Sequence, residues 1–336
     1  MVDQLAALGT KEVTFIGGEA YLYPEWLEVV RAVAEAGMVP TLTTGARGVT
    51  PELCAAAAEA GLRAVSISID GLEETHDQLR AVRGSWKRAI QAIGLVRDAG
   101  LQPYANTQWN KLNLPEVEDL AAILRIQGVR AWQVQITGPM GRAADREDWI
   151  LQPPDMLDLI PRLAAIARAG KPEGFRVEAS NNLGYFGPFE KDLRRSHWQG
   201  CKAGQFVMGI ESNGDIKGCP SLPSAPYVGG NVREQSIAEL WAHNEKIRFS
   251  RNRSLDELWG FCKSCYYAES CRGGCSWTAH TLLGKRGNMP LCYHRADMLK
   301  SQGKRERLIH ASDADGLPFD FGRFDLVEEP WDQPGQ

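Results

Sequence analysis

Seven of the eight cysteines fall between residues 201 and 292. They are spaced Cys262-x2-Cys265-x5-Cys271-x3-Cys275, followed after a gap by Cys292 and preceded by Cys201 and Cys219. Thiolates at short, fixed spacing are what soft metals require. The N-terminus, MVDQLAALGTKEV, has neither a basic nor an apolar signal region, and no apolar run is long enough to span a bilayer. A cytoplasmic chain with no membrane partner is therefore expected. Its thiols would be mostly reduced, so a disulfide framework is the weaker account. Seven ligands divide as four plus three. A pair of zinc ribbons uses the same CxxC spacing, and spacing alone does not separate zinc from iron–sulfur. The odd count leans toward a cluster. A three-cysteine site can leave one iron free for an oxygen or non-protein ligand, whereas structural zinc usually closes its fourth position.

Ahead of the cysteines, strand and helix patterns alternate every 25–35 residues or so. Strands are expected at Val13–Ile16, Pro40–Thr43, Ala64–Ile69, 102–107, 131–136 and about 175–178. Helices are expected from Pro24 to about Ala36, after Thr50-Pro51-Glu52, at 86–98 capped by Ser85, at 115–126 and at about 154–168. The strands are nearly continuous apolar runs, as in parallel strands buried by crossover helices. A partial (β/α) barrel of TIM-like type is the expected α/β architecture, with a doubly wound sheet as the alternative. Chemistry would then sit at the C-terminal strand ends, Gly17-Gly18-Glu19, Thr43-Thr44-Gly45 and Ser68-Ile69-Asp70-Gly71 among them. Asn106, Gln133, Gln135 and Arg142 could hold a substrate backbone there, or be ordinary polar ends of strands.

The repeat begins half a unit in. Val2–Leu8 reads as the end of a helix with no strand before it, which leaves the edge at Val13–Ile16 exposed. Periodicity breaks near 185–200. A hairpin with an Asn-Gly turn is expected at 209–217, then a short helix at 236–242. The expected division is 1–185, 200–300 and an acidic, flexible tail at 310–336. Seven acids and one base lie between Asp313 and Asp332, although Phe319, Phe321, Phe324 and Trp331 could pack back on the body. Lys304-Arg305-Glu306-Arg307 reads as a solvated charge cluster. The net charge of −4 and the lack of a long basic run disfavour nucleic acid.

The series Cys201-x12-Gly214-x4-Cys219, Cys262-x2-Cys265-x5-Cys271-x3-Cys275 and Cys292 resembles the SPASM domain of radical SAM peptide-modifying enzymes. Gly229-Gly230-Asn231-Val232-Arg233 and Ile237–Trp241 resemble that domain's linker. The resemblance implies two auxiliary [4Fe–4S] clusters, one on Cys262, Cys265, Cys271 and Cys292, the other on Cys201, Cys219 and Cys275. Some relatives add a cysteine just after the first; Lys202–Met208 has none. The first two-thirds is similar to the radical SAM core. Gly17-Gly18-Glu19-Ala20 stands where the family has its GGEP turn, which contacts the amino group of S-adenosylmethionine. Thr44 stands in the family's Thr-Asn-Gly turn. Ser68 and Asp70 match a Ser-x-Asp-Gly strand end, and His76, Asp77 and Arg80 the His-Asp-x-x-Arg that follows. Ser68 and Asp70 are thus candidate SAM or substrate contacts, with turn formation and helix capping as the plain alternative.

The family's CxxxCxxC motif, which holds the SAM-cleaving cluster, does not occur in these 336 residues. Cys54 lies in an apolar helix and reads as a core cysteine. The missing strand and motif both belong upstream of Met1. An in-frame CxxxCxxC is expected there, and the chain alone is expected not to cleave SAM. The resemblance implies an enzyme that generates a 5′-deoxyadenosyl radical to modify a ribosomally made peptide or protein, with electrons from a flavodoxin or ferredoxin. Anaerobic sulfatase-type maturases and enzymes acting on redox-cofactor precursor peptides share these motifs. The alternatives from other classes are an iron–sulfur binding or electron-transfer module and a zinc-stabilised scaffold. No catalytic side chain is singled out.

Overall fold

A computed structural model describes residues 1–194, 197–317 and 320–332. The chain forms two compact units, residues 1–134 with 165–178, and residues 135–164 with 179–336.

The first unit opens with α1 (Val2–Ala7), β1 (Glu12–Phe15) and α2 (Trp26–Glu35). Next come β2 (Val39–Thr44), α3 (Pro51–Glu59), β3 (Ala64–Ser68), α4 (Glu73–Arg80) and α5 (Ser85–Asp98). β4 (Gln102–Trp109), α6 (Val117–Ile126), β5 (Ala131–Ile136), α7 (Met156–Gly170) and β6 (Arg176–Ala179) complete the sheet and its helices. The six strands lie in sequence order, β1-β2-β3-β4-β5-β6. β1–β4 pair in parallel, with Thr14 beside Thr41, Thr43 beside Ser66, and Ser68 beside Asn106. A doubly wound sheet reverses strand order at its middle. This order never reverses, so the fold is a partial, TIM-like barrel. β1 is an edge strand, with Glu12 and Thr14 exposed.

The sheet departs from continuous apolar strands in one respect. Side chains alternate across a strand. Glu12, Thr14, Thr41, Thr43, Ser66, Ser68, Tyr104 and Asn106 therefore share one face. Val65, Ile67, Ala105, Trp109, Trp132 and Val134 are buried on the other, where the apolar residues of α2, α3, α5 and α6 pack. Thr41 donates to Glu12 and to Thr14 along the polar face. Threonine suits strands well, so the sheet keeps one polar face at no loss of register. Cys54 is buried on α3 as expected, and Thr50 caps that helix by accepting from the Leu53 amide. α5 begins at Ser85, one residue earlier than expected. Its cap comes from outside: the Asp77 carboxylate accepts from Gly84 N, Ser85 Oγ and Trp86 N.

The second unit holds the cysteines. α8 (Glu190–Leu193) leads to an antiparallel sheet of β7 (Gly209–Ile210), β8 (Asp215–Lys217) and β9 (Val228–Asn231), with α9 (Ser224–Tyr227) before β9. The hairpin was legible, but its third strand was not. α10 (Ile237–His243), α11 (Glu245–Arg248), α12 (Ala268–Cys271), α13 (Ser276–Leu283) and α14 (Tyr293–Ser301) follow.

The acidic stretch does not stand apart from the fold. β10 (Lys304–Ser312) and β11 (Arg323–Pro330) form an antiparallel hairpin. The charge cluster at 304–307 is half of it: Arg305 and Arg307 both reach Glu329, and Lys304 pairs with Glu328. Glu306 is buried on Arg295 of α14 through two bonds of 2.5 and 2.6 Å. Phe324 is buried, Phe321 meets the His280 ring, and the Trp331 amide donates to the Gly303 carbonyl. Phe319 lies outside the described residues.

Candidate functional site

In the first unit, Gly17, Gly18 and Glu19 follow β1 directly. Gly17 has φ +89°, and a Cβ at either glycine would meet nothing within 4 Å. The fold itself thus demands no glycine at position 18. What the pair leaves is an open backbone surface. Glu19 then turns toward the end of β2. Its carboxylate accepts from Thr44 Oγ1 at 2.5 Å, from Gly45 N at 3.2 Å and from Arg47 N at 3.4 Å. Tyr21 closes the group from below, donating to the Arg47 carbonyl at 2.6 Å and lying 3.2 Å from Thr44 Oγ1. Burial holds its phenol protonated, well above the ordinary range. The structure therefore brings Gly17, Gly18, Glu19 and Thr44 together around one carboxylate.

Ser68 and Asp70 belong to a different arrangement. Ser68 Oγ donates to Asn106 Oδ1, and Asn106 Nδ2 donates to Ser66 Oγ. Asn106 is thereby spent on the sheet rather than presented to solvent. Asp70 accepts from Gln108 N at 2.9 Å and pairs with Arg80 at 2.7 Å. His76 Nδ1 accepts from Asp70 N at 3.0 Å. Desolvation depresses the imidazole to about 4, so the ring is neutral. Asp70, His76, Asp77 and Arg80 thus form a lock that folds α4 back on the end of β3 and starts α5. Gly71 completes it at φ +147°, where a Cβ would lie 2.6 Å from Glu116 Oε2. Asn113 and Glu116, which sequence reasoning missed, finish the lock: Asn113 Nδ2 donates to the Asp70 carbonyl, and Glu116 Oε2 accepts from Leu72 N. Of the strand-end residues considered for substrate, Gln133 and Arg142 are exposed and Gln135 is half-buried.

In the second unit all seven cysteines are free thiols, with Cys201 and Cys275 buried and the rest half-buried. Their mutual electrostatics fall into two sets. Cys201 raises Cys219, and both raise Cys275, while Cys262, Cys265, Cys271 and Cys292 interact among themselves. Burial first, and neighbouring sulfurs second, push Cys219 up to about 11 and Cys271 and Cys275 up to about 12. Burial on this scale keeps the sulfurs protonated unless a cation joins them. Backbone amides answer the sulfurs: Ser221 and Leu222 at Cys219, Tyr267 at Cys265, Gly274 at Cys271 and Thr278 at Cys275. Arg272, Gly273 and Gly274 carry the chain from Cys271 to Cys275 with three successive positive φ angles, 52°, 74° and 68°. A Cβ at Gly273 would lie 2.9 Å from the Gly287 carbonyl. Trp198 Nε1 lies 3.2 Å from Cys271 Sγ.

Residues 1–142 match the Radical SAM superfamily, and residues 201–266 match SPASM, an iron-sulfur cluster-binding domain. The chain is 28% identical over 306 residues to an AdoMet-dependent heme synthase of Methanosarcina barkeri (strain Fusaro / DSM 804), covering 88% of this chain and 85% of that protein. It is 26% identical over 287 residues to a PqqA peptide cyclase of Rhizobium meliloti (strain 1021), covering 84% and 73%. The fold matches native anSMEcpe with bound AdoMet and Cp18Cys peptide at a TM-score of 0.66 and 17% identity, covering 88% of this chain and 84% of the other. With an in-order parallel sheet ahead of the clustered cysteines, and both domains matched in that order, the chain carries a Radical SAM domain followed by a SPASM iron–sulfur cluster-binding domain.

Proposed function

We propose that this chain is the body of a radical SAM/SPASM enzyme that modifies a peptide or protein. It would hold two auxiliary [4Fe–4S] clusters, one on Cys262, Cys265, Cys271 and Cys292 and one on Cys201, Cys219 and Cys275. The observation that carries the reading is the division of seven buried or half-buried thiols into these same two sets. A polynuclear cluster would supply the positive charge that lets these thiols ionise. SAM would bind at the open Gly17-Gly18 surface, its ammonium beside Glu19 and Thr44. Bound SAM supplies one-electron chemistry that ends in hydrogen abstraction; the protein orients the groups and excludes water. On the polar face of β1–β4, the edge residues Glu12 and Thr14 stay exposed and offer polar groups to a peptide backbone. The 336 residues contain no CxxxCxxC, so SAM cleavage by this chain alone is not expected. An electron donor such as flavodoxin or ferredoxin and a cytoplasmic setting belong to the same proposal. Among the described residues, no helix is long and apolar enough to cross a membrane.

Iron, zinc and acid-labile sulfide are the test, after anaerobic reconstitution. Roughly eight irons with matching sulfide are expected. Cys262→Ala should lose about half, and Cys275→Ala the other half. Zinc at about one or two per chain without sulfide would return the cysteines to a structural role.

A second substrate class has one observation in its favour, the 28% identity to a heme synthase. A tetrapyrrole would bind through its carboxylates. Retention of an iron porphyrin in preference to peptides by the reconstituted chain would favour it.

A further inference from the structure

Two arginines are deeply buried among the cysteine loops, and they differ in one respect. Arg295 uses its whole fork: Nε and Nη2 on Glu306, and Nη1 on Asn288 Oδ1 and the Met289 carbonyl. Arg253 is 4% exposed, yet only Nη1 has a partner, Ser276 Oγ at 3.3 Å. Its Nε and Nη2 are buried without an acceptor. An idle N–H of a buried guanidinium costs more than an ordinary unmade hydrogen bond, because the charge is not compensated either. A fold keeps such a group where an anion completes it.

The position of Arg253 names the anion. Ser276 directly follows Cys275, and the Arg253 carbonyl accepts from Nη1 of Arg272, which directly follows Cys271. The side chain is thus tied to a ligand loop of the three-cysteine set and its backbone to a ligand loop of the four-cysteine set. Cys201 and Cys262, one from each set, both lie within electrostatic reach of the guanidinium. Glu257 is the acidic group nearby, and it is already paired with Arg286.

We infer that Arg253 is the counter-cation shared by the two cluster sites. Its idle Nε–H and Nη2–H donate to cluster sulfur, and its charge raises the reduction potentials of both clusters. This rests on the cluster assignment proposed above. Arg253 is a positioning residue and touches no substrate. The physical argument is direct: reduction adds negative charge to a cluster, and a fixed cation in a dry site stabilises the more negative state. One cation facing both sites moves both potentials in the same direction, which keeps electron transfer between them close to balanced.

The test is EPR-monitored potentiometry on the reconstituted chain, with iron and sulfide counted in parallel. Arg253→Met should keep full iron content and lower both midpoints. At a fixed potential, the ratio of reduced to oxidised cluster should fall at least tenfold, equivalent to 59 mV for one electron. Arg253→Lys, which keeps the charge, should recover most of that shift. Unchanged midpoints in a fully loaded Arg253→Met protein would overturn the inference while leaving the clusters in place. If Arg253→Met fails to load, the wild-type protein decides. With ¹⁵N-arginine it should show guanidinium nitrogen coupled to a reduced cluster in pulsed EPR, absent from Arg253→Lys. No such coupling overturns the inference. Absence of iron and sulfide from wild-type protein overturns the cluster assignment itself.

Discussion

The indole N–H of Trp198 is aimed at the sulfur of Cys271, 3.2 Å away. The indole is itself fixed: Arg194 lies 4.3 Å from its ring, also covers Phe186, and is anchored by Glu190 at 2.5 Å. Replacing Trp198 by Phe keeps the packing and removes the donor. Hydrogen bonds to cluster sulfur favour the reduced form. The variant should therefore retain its iron while the midpoint of the four-cysteine cluster falls by the equivalent of about 1 kcal/mol. Potentiometry on both proteins checks it; equal midpoints would show that this contact does not reach the cluster.

Glu19 collects the ends of β1 and β2 through one carboxylate. Glu19→Gln preserves an acceptor for Thr44 but loses the charge that an ammonium needs. SAM affinity should drop about tenfold or more, with an unchanged circular dichroism spectrum. Calorimetric titration of SAM into both proteins gives the comparison, and matching dissociation constants would move the SAM site elsewhere.

The buried, neutral His76 makes stability pH-dependent. Its folded pKa is depressed to about 4, from 6.5. Above pH 6.5 the ring is neutral in both states. As pH falls toward 4 the unfolded chain takes up a proton that the native ring refuses, so stability is lost progressively across that window. The loss from this group is about 2 kcal/mol by pH 5 and roughly 3 kcal/mol once pH passes below 4. Urea midpoints at pH 7.5 and pH 5 should differ less in His76→Asn than in the wild type. The same difference in both would remove His76 as the cause.

Gly71→Ala would place a methyl group 2.6 Å from Glu116 Oε2 at φ +147°. A cost on the order of 2–3 kcal/mol follows from strain and a displaced carboxylate. Denaturant unfolding measures it, and a change within experimental scatter would mean that the lock around Asp70 yields cheaply.

Element order was legible because helix and strand periods differ, and because Gly37, Thr50 and Pro51 mark their boundaries plainly. The sequence pattern at Ser66-Ile67-Ser68 also carried the polar face, but serine among β-branched neighbours reads as an ordinary strand residue. The grouping around Glu19 was visible through the paired glycines. The lock around Asp70 was harder to see, since Asp77 caps a helix eight residues on and Glu116 acts across more than forty. Such long-range satisfaction of backbone amides leaves no local signature. The hairpin of β10 and β11 was hidden for a similar reason: Arg305 and Arg307 find Glu329 only once the strands pair.

Cys292 is the residue just before α14, and Arg295, one turn on, is clamped by Glu306 in β10. On the cluster assignment proposed above, the last ligand of the four-cysteine set is therefore tied to the C-terminal hairpin through a buried ion pair. A protease cut between β10 and β11, far from any cysteine in sequence, would loosen the grip on iron. Conversely, chelating the iron would expose that hairpin to digestion. Metal retention and resistance to proteolysis at the C-terminus are, for this chain, one thermodynamic property read in two ways.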